Sequence, residues 1–319
     1  MTPLLRRSYV AAELIATHPP RLRDANKQVA FALACPPGAR HTGTIDVTRW
    51  SALALPEAAT LAATEVVASP GYFDYAGGSD GVWHVNFADP RLFVAYGSHL
   101  LAQDEIQVLE HPLLGSVREA LVGEGDEPMT HDGEPSPFVV ANVERRSAIA
   151  TDVNARAGRP FGLYGNRFGI APAQVIRDAI TVLTPPTRSH LIAIAAPNSG
   201  RGPYTRKQVE RVLVTALTGF AAAAAESHRL WPSAAVEIRT GFWGCGAFGG
   251  NRTVMTALQI LAARLAGIAR LTFYVFDDAG RSDFERAVAE LDRVIAPTVA
   301  ETVAALVARG HAWGVSDGT

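Results

Sequence analysis

This chain of 319 residues has few cysteines, little net charge and only short apolar runs, and each of these features limits the classes of protein to which it can belong. The two cysteines, Cys35 and Cys245, give no basis for a disulfide framework or a zinc site. A net charge of −2 leaves no overall basic field, so we expect no general binding of nucleic acid. The longest apolar stretch, residues 212–225, is short and rich in alanine, which predicts no membrane span.

The rest of the composition is typical of a soluble globular enzyme, with 48% hydrophobic and 19% charged residues. Glu13 interrupts the apolar character of the first twenty residues, so no secretory signal is indicated and we expect a cytoplasmic protein. The histidines show no metal-ligand spacing. The sequence does not indicate an oligomeric state.

Residues 1–80 and residues 81–319 differ in their patterns of apolar residues. The first segment has helical spacing over residues 22–34 and 51–67 and few strand signals, which predicts a helical accessory segment. In the second segment, apolar runs of strand length at residues 82–87, 138–143 and 190–196 alternate with helical patterns. This alternation predicts one compact α/β domain whose mostly parallel sheet is covered by helices on both faces.

A glycine-rich loop, residues 241–250, is the most informative stretch of the sequence. It contains five glycines and lies between a predicted strand at residues 235–240 and a predicted helix that begins near Asn251. Because glycine has no Cβ, backbone N–H groups in such a loop can approach a ligand closely. The start of a helix adds unpaired N–H groups and the positive end of its dipole. The loop therefore predicts a binding site for a phosphate or diphosphate.

The same loop permits other interpretations. Gly244, Gly246 and Gly249 match the dinucleotide fingerprint of oxidoreductases, so a nicotinamide-dependent oxidoreductase is one alternative. The acid that would accompany this fingerprint, Asp277, follows Gly249 by 28 residues, more than the usual spacing of about 20. A nucleotide-binding P-loop is excluded because no Gly-Lys-Ser/Thr follows. A tight strand–helix connection that binds nothing is the remaining alternative.

A second group of polar residues follows the predicted strand at residues 82–87. Asn86 and Asp89 lie at its end, and Asp104 and Glu105 lie on the next predicted helix. The apolar side of that helix lies close to Glu105 and consists of Leu101, Ile106 and Leu109. A carboxylate that is partly removed from water has a raised pKa and can deliver a proton to a leaving group. Alternatively, the two acids are simply first-turn residues that the helix dipole favours.

Together the two motifs resemble the poly(ADP-ribose) glycohydrolase family. In that family the strand end reads Asp-Phe-Ala-Asn, a loop with three consecutive glycines follows, and the helix carries Gln-Glu-Glu, whereas this chain has Asn86-Phe-Ala-Asp89 and Gln103-Asp-Glu105. Residues 240–250, with the helical residues 257–262, look like the second, phosphate-binding loop of the family. The resemblance implies a macrodomain-like mixed sheet between helices as the catalytic domain at residues 81–319, after a helical accessory segment at residues 1–80. It also implies hydrolysis of a ribose–ribose glycosidic bond without metal or cofactor.

The resemblance also implies roles for individual residues. Glu105 corresponds to the general acid, which later acts as the base for water, and Asp104 corresponds to a contact with ribose hydroxyls. Asn86 and Asp89 correspond to ribose contacts, and Gln103 to a contact on the adenosine side. The expected substrate-binding residues of the two loops are Tyr96, Gly97, Gly244, Cys245, Gly246, Ala247, Phe248 and Gly249.

Several departures from the family pattern leave the activity open. The three-glycine run is replaced by Ala95-Tyr96-Gly97, Asp104 is one methylene shorter than glutamate, and Asn86 and Asp89 exchange amide and acid. Three acids close to one ribose can share protons and raise a pKa. Phe161 and Tyr164 are the available substitutes for a tyrosine-rich segment of the family.

These departures leave two functions open. The chain is either an ADP-ribosyl glycosidase or a module that binds ADP-ribose without cleaving it. The expected partner is ADP-ribose or an ADP-ribosylated polymer, protein, nucleic acid or small metabolite.

Overall fold

A computed structural model describes residues 1–75, 80–198 and 200–318. The strands of this part of the chain are β1 Pro3–Val10, β2 Thr44–Trp50, β3 Glu65–Ser69, β4 Val82–Ala88, β5 Thr130–His131, β6 Glu134–Pro135, β7 Phe138–Ile149, β8 Ile180–Ala195, β9 Glu237–Thr240 and β10 Arg270–Tyr274. The helices are α1 Ala11–Thr17, α2 Ala25–Ala34, α3 Gln103–Glu110, α4 Leu113–Glu124, α5 Arg167–Ile170, α6 Ala173–Ala179, α7 Arg206–Leu230, α8 Arg252–Leu265, α9 Asp278–Val294 and α10 Val299–Ala308, with a short 3-10 helix at Ala155–Ala157.

Eight strands form one mixed sheet in the order β1-β2-β7-β8-β4-β9-β10-β3. Strand β4 pairs in parallel with β8 and β9, and β10 pairs in parallel with β9 and β3. The strands from β8 to β1 pair in antiparallel fashion. The carboxyl ends of β4, β8, β9 and β10 therefore meet at one edge of the sheet, which is where parallel sheets place ligands.

Helices cover both faces of this sheet and enclose two main apolar cores. On one face, the core includes Trp83 and Val85 of β4 and buried residues of α7 to α10. On the other face, a second core joins the sheet to α1 and α4. Because successive side chains of a strand alternate between faces, Asn86 points away from the first core, toward α3. The observed architecture confirms the expected macrodomain-like mixed sheet between helices.

The first eighty residues differ from the prediction of a mainly helical segment. They contain α1 and α2, but they also contribute β1, β2 and β3 to the sheet, and the predicted helix at residues 51–67 is wrong because these residues form extended chain and β3. The hydrogen bonds that make β3 a strand come from β10, some 200 residues away, which local spacing does not reveal. Residues 76–79 lie outside the described residues, and the functional boundary at residue 80 stays a prediction.

The βαβ unit around the glycine loop, in contrast, follows the sequence pattern. Strands β9 and β10 are parallel and α8 connects them, as the residue spacing predicts. The predicted helix that carries Asp104 and Glu105 is α3, which begins at Gln103. None of the helices in the described part of the chain has the length and apolarity that a bilayer crossing requires.

Candidate active site

A cavity of about 330 Å³ opens where the carboxyl ends of β4 and β9 meet. One wall consists of Asp89 and the first turn of α3, and another consists of the glycine loop. The two motifs that the sequence identified, more than 130 residues apart, therefore face the same space. Of the expected site residues, those that line the cavity are Asp89, Gln103, Asp104, Glu105, Gly244, Cys245, Gly246, Ala247 and Phe248.

Three carboxylates form the acidic wall of the cavity. One oxygen from each of Asp89, Asp104 and Glu105 lies within 4.8 Å of the others. Asp104 and Glu105 are buried, with 4% and 2% of their surface exposed, and Asp89 is partly exposed. Such a cluster can hold shared protons, and its oxygens are also the kind of ligand that a divalent cation prefers. The expectation of a reaction without metal stays a prediction.

The hydrogen bonds of the acid pair fix the two side chains differently. Asp104 accepts a bond of 2.9 Å from Nδ2 of Asn86 through Oδ1, while its buried Oδ2 has no partner among the described residues. Glu105 accepts a bond of 2.9 Å from the backbone N–H of Ala102, which precedes α3. Glu105 thus also stabilises the start of its own helix, the structural role that the sequence left open.

Burial disfavours the ionised form of both carboxylates of the acid pair. Burial is the main cause that raises the pKa of Asp104 well above its usual range, and the neighbouring charge of Glu105 raises it further. Burial also raises the pKa of Glu105, against the opposing charge of Lys27. The pKa of Asp89 is raised by burial as well. These carboxylates therefore keep a proton to higher pH than exposed carboxylates do, which favours a general acid.

Gln103 has a structural role that the family resemblance did not suggest. Its Oε1 accepts a hydrogen bond from the backbone N–H of Phe87, and its Nε2 donates to Tyr75 and to the carbonyl of Val85. These bonds attach the first turn of α3 to β4 and so position Asp104 and Glu105. The proposed contact of Gln103 with adenosine stays a prediction.

Hydrogen bonds of two buried side chains, Trp243 and Gln259, fix the position of the glycine loop. Nε1 of Trp243 donates to the carbonyl of Ile194 on β8 at 2.9 Å, and Gln259 of α8 bonds both Thr240 and the carbonyl of Gly241. Gly244 has φ of +73°, and a Cβ at this position would lie 2.6 Å from Cβ of Ala196. Glycine is thus required there by both conformation and close packing.

The loop presents free donors to the cavity. No described residue accepts a hydrogen bond from the backbone N–H groups of Gly244, Gly246, Ala247 or Phe248, although all four residues line the cavity. Asn251 caps the following helix by accepting bonds from Thr253 and Val254 through its side chain. Unpaired N–H groups next to a helix start are the usual features of an anion site.

Four expected site residues lie outside the cavity wall. The hydroxyl of Tyr96 donates to Glu119 and accepts from the backbone N–H of Arg21, so its ring packs against the N-terminal segment. A Cβ on Gly97 would lie 2.3 Å from the carbonyl oxygen of Arg21, which explains the glycine by packing. Asn86 and Gly249 lie behind the wall. Asn86 contacts Asp104, and Gly249 packs against the backbone of residues 314–316.

Several cavity residues had no signal in the sequence or only a weak one. Phe161 and Tyr164, the named substitutes for the family's tyrosine-rich segment, both line the cavity. Arg167, Arg252 and Asp317 also line it, and sequence analysis missed them. Arg252 follows the cap of α8 directly, so its position next to the glycine loop could have been noticed. Asp277, the acid considered for the dinucleotide fingerprint, is instead the N-cap of α9 and accepts a bond from Gly280.

The glycine loop lies in a segment that matches a known family. Residues 164–283 match the family model described as poly (ADP-ribose) glycohydrolase (PARG), Macro domain fold. The resemblance found in the sequence is confirmed over this segment, which includes the entire loop, and the match supports a glycoside hydrolase. The acid pair of α3 precedes the matched residues.

Similar solved structures are poly(ADP-ribose) glycohydrolases of bacteria. The enzyme of Thermomonospora curvata bound to the inhibitor ADP-HPD is 20% identical, over 70% of this chain and 79% of that chain, with a TM-score of 0.45. A second structure from Thermomonospora curvata is 18% identical, over 88% and 93%, with a TM-score of 0.43. The enzyme of Deinococcus radiodurans in complex with ADP-ribose is 14% identical, over 90% and 95%, with a TM-score of 0.42. A comparison with curated protein sequences finds no match.

Proposed function

We propose that this chain hydrolyses the glycosidic bond at the distal ribose of an ADP-ribosyl group and releases ADP-ribose. One observation carries the proposal: a single cavity joins a buried carboxylate pair to a loop with four N–H groups that have no acceptor among the described residues. The loop supplies donors for a diphosphate, and the acids lie on a separate wall, where the far sugar would be placed. The family match over residues 164–283 supports the same class of reaction.

In this proposal, Glu105 is the general acid. Its proton passes to the departing oxygen as the bond from that oxygen to the anomeric carbon breaks, which leaves positive charge on the ribose. The remaining carboxylate charge of the acidic wall stabilises this oxocarbenium-like state. Glu105, now ionised, takes a proton from the incoming water as the water oxygen bonds to the anomeric carbon. The buried position of Glu105 favours the protonated form at the start of the cycle.

The second candidate function is binding of ADP-ribose without cleavage. Burial and the charge of Glu105 raise the pKa of Asp104 well above its usual range, so Asp104 also competes for the shared proton. If Asp104 keeps the proton, Glu105 remains an anion and has none to donate to the leaving oxygen. A protein in that state binds ADP-ribose but does not turn over a glycoside.

A comparison of the wild type with Glu105→Gln tests the proposal. Each protein is incubated with poly(ADP-ribose) and with a mono-ADP-ribosylated protein, and free ADP-ribose is measured, while calorimetry records ADP-ribose binding. Glutamine can still accept the bond from Ala102, so folding and binding should be retained. We expect turnover to fall by about a hundredfold or more, because proton transfer typically contributes that much.

The control is Glu134→Gln, which removes the same charge from a side chain that is 67% exposed. This variant should match the wild type. Equal release of ADP-ribose by wild type and Glu105→Gln would remove Glu105 from its proposed role. Binding without release by the wild type would favour the reader, and absence of both would contradict the proposed site.

A further inference from the structure

A segment close to the C-terminus lies across the glycine loop. We call residues 314–318 the strap. The backbone N–H of Gly314 donates to the carbonyl of Gly249 at 2.8 Å, and that of Asp317 approaches the carbonyl of Gly246 at 3.4 Å. A Cβ on Gly249 would lie 3.1 Å from atoms of Gly314 and Ser316. The strap can therefore pack closely against the loop because Gly249 has no Cβ.

The side chain of Asp317 brings a negative charge to this contact. A Cβ on Gly246 would lie 3.0 Å from Oδ2 of Asp317, and Asp317 itself lines the cavity. Among the described lining residues, Asp317 joins three other acids, Asp89, Asp104 and Glu105, against two arginines. A carboxylate beside the unpaired N–H groups lies where an anionic ligand would bind, and it repels that ligand.

The strap also reaches the opposite side of the cavity. Nδ2 of Asn166 donates to the carbonyl of Gly318 at 3.2 Å. Asn166 precedes Arg167 and follows the segment that contains Tyr164, both of which line the cavity. The strap thus contacts both the glycine loop and Asn166, which adjoins the cavity wall at Arg167.

The residues before the strap are attached much more firmly than the strap. The ring of Trp313 stacks on Tyr204 with a centroid distance of 4.3 Å, and its backbone N–H donates to Gly202 at 2.9 Å. Nδ2 of Asn251 donates to the carbonyl of Ala312. Every residue of the strap is exposed, Val315 at 92%. Segments of this kind open at low free energy while their anchor stays in place.

We propose that the strap is an intramolecular competitor of the anionic ligand. Asp317 and its backbone cover the glycine loop in the unliganded protein, and the strap must turn away about Trp313 before a diphosphate can occupy the loop. This inference rests on the proposed function, because it takes the ligand to be an ADP-ribosyl group.

Three proteins test the strap: the wild type, Asp317→Asn, and a chain that ends at Trp313 and so keeps the anchor. ADP-ribose binding is measured by calorimetry at low and at high salt. We expect about fivefold tighter binding for Asp317→Asn at low salt and a gain at least as large for the shortened chain. High salt should reduce the gain of Asp317→Asn, because screening weakens the repulsion.

Asp132→Asn is the matched control, because it removes one charge from a side chain that is 91% exposed. Equal ADP-ribose affinity in the wild type, Asp317→Asn and the shortened chain would overturn the strap proposal and leave the proposed function intact. If none of the proteins binds ADP-ribose, the proposed function fails instead. In that case the binding of inorganic pyrophosphate tests the strap separately. Pyrophosphate should bind more tightly to Asp317→Asn and to the shortened chain than to the wild type, and equal binding would overturn the strap proposal.

Discussion

Lys27 is a buried cation that interacts with Asp104 and Glu105 although it does not line the cavity. The side chain is fully buried on α2, with Nζ donating to the carbonyl of Tyr96 at 3.1 Å and lying 5.7 Å from the ring centre of Phe168. Burial lowers the pKa of Lys27 to about 8, while the charges of Glu105 and Asp104 favour the ammonium form. The ammonium in turn opposes the rise in the pKa of Glu105.

Replacing Lys27 by methionine tests this balance through stability. A base whose pKa is lower in the folded state is penalised while it is charged, so the wild type should gain stability as pH rises from about 8 toward 10.5. The gain in the free energy of unfolding is on the order of 1 kcal/mol per pH unit in the range where Lys27 is protonated in the unfolded chain but not in the folded protein. We expect Lys27→Met to lack this rise in denaturant unfolding.

The exposed Lys207 provides the control for this measurement, since Lys207→Met should keep the rise. The same dependence on pH in wild type and Lys27→Met would show that the charge of Lys27 carries no folding penalty.

The residues of the site differ in how well the sequence could predict them. Asp104 and Glu105 are adjacent, and their helical neighbours already indicate a buried face. Lys27 could not be assigned to the site, because it reaches the acid pair only through the packing of α2 against α3 and the loop at Tyr96. Tyr96 does not line the cavity, since a motif position does not reveal the direction of a side chain, and its contact with substrate stays a prediction.

At the scale of elements, the glycine loop combines a backbone requirement with a functional surface. Gly244 has a left-handed conformation and no room for a Cβ beside Ala196. We expect Gly244→Ala to destabilise the protein by about 2 kcal/mol or more, from conformational strain and steric overlap together. Thermal unfolding measures this loss.

Gly123→Ala is the matched control for the loop glycine. Gly123 lies in α4, and a Cβ there would meet nothing within 4 Å. Alanine should stabilise this helix by about 0.5–1 kcal/mol. A loss at Gly123 as large as that at Gly244 would contradict the special requirement for glycine in the loop.

The elements near the loop were predictable because their signals are local. The strand, glycine turn and amphipathic helix of β9 and α8 follow one another within thirty residues. Strand β1 shows no such signal, because it is an arginine-containing edge strand whose side chains are largely exposed. Its pairing depends on tertiary contacts. Local patterns therefore predicted the ligand loop better than the N-terminal part of the sheet.

For the whole molecule, buried histidines and buried acids drive stability in opposite directions with pH. Burial lowers the pKa of His84 well below its usual range and lowers the pKa values of His111 and His190 to about 3 and about 4. Because the folded state holds fewer protons on these rings, stability falls as pH decreases below about 6.5. Burial raises the pKa of Glu110 to about 7, so the folded state keeps a proton there that the unfolded chain has lost. Through this residue, stability falls as pH rises from about 4.5 to about 7. Between about pH 4.5 and 6.5 the histidines and Glu110 therefore change the stability in opposite directions.

His111→Gln isolates the histidine side of this balance. The ring bonds the carbonyl of Gln107 at 2.7 Å and the hydroxyl of Ser189 at 2.9 Å, and it is completely buried, so the folded protein keeps it neutral. Between pH 6 and pH 4, the wild type should lose about 1 kcal/mol per pH unit through this residue, a slope that His111→Gln should lack. His131, with 48% of its side chain exposed, is the control, because His131→Gln should leave the slope unchanged. Parallel pH profiles of unfolding for the wild type and His111→Gln would mean that His111 takes up a proton equally well in the folded and the unfolded protein. Burial of this ring would then not explain the loss of stability at low pH.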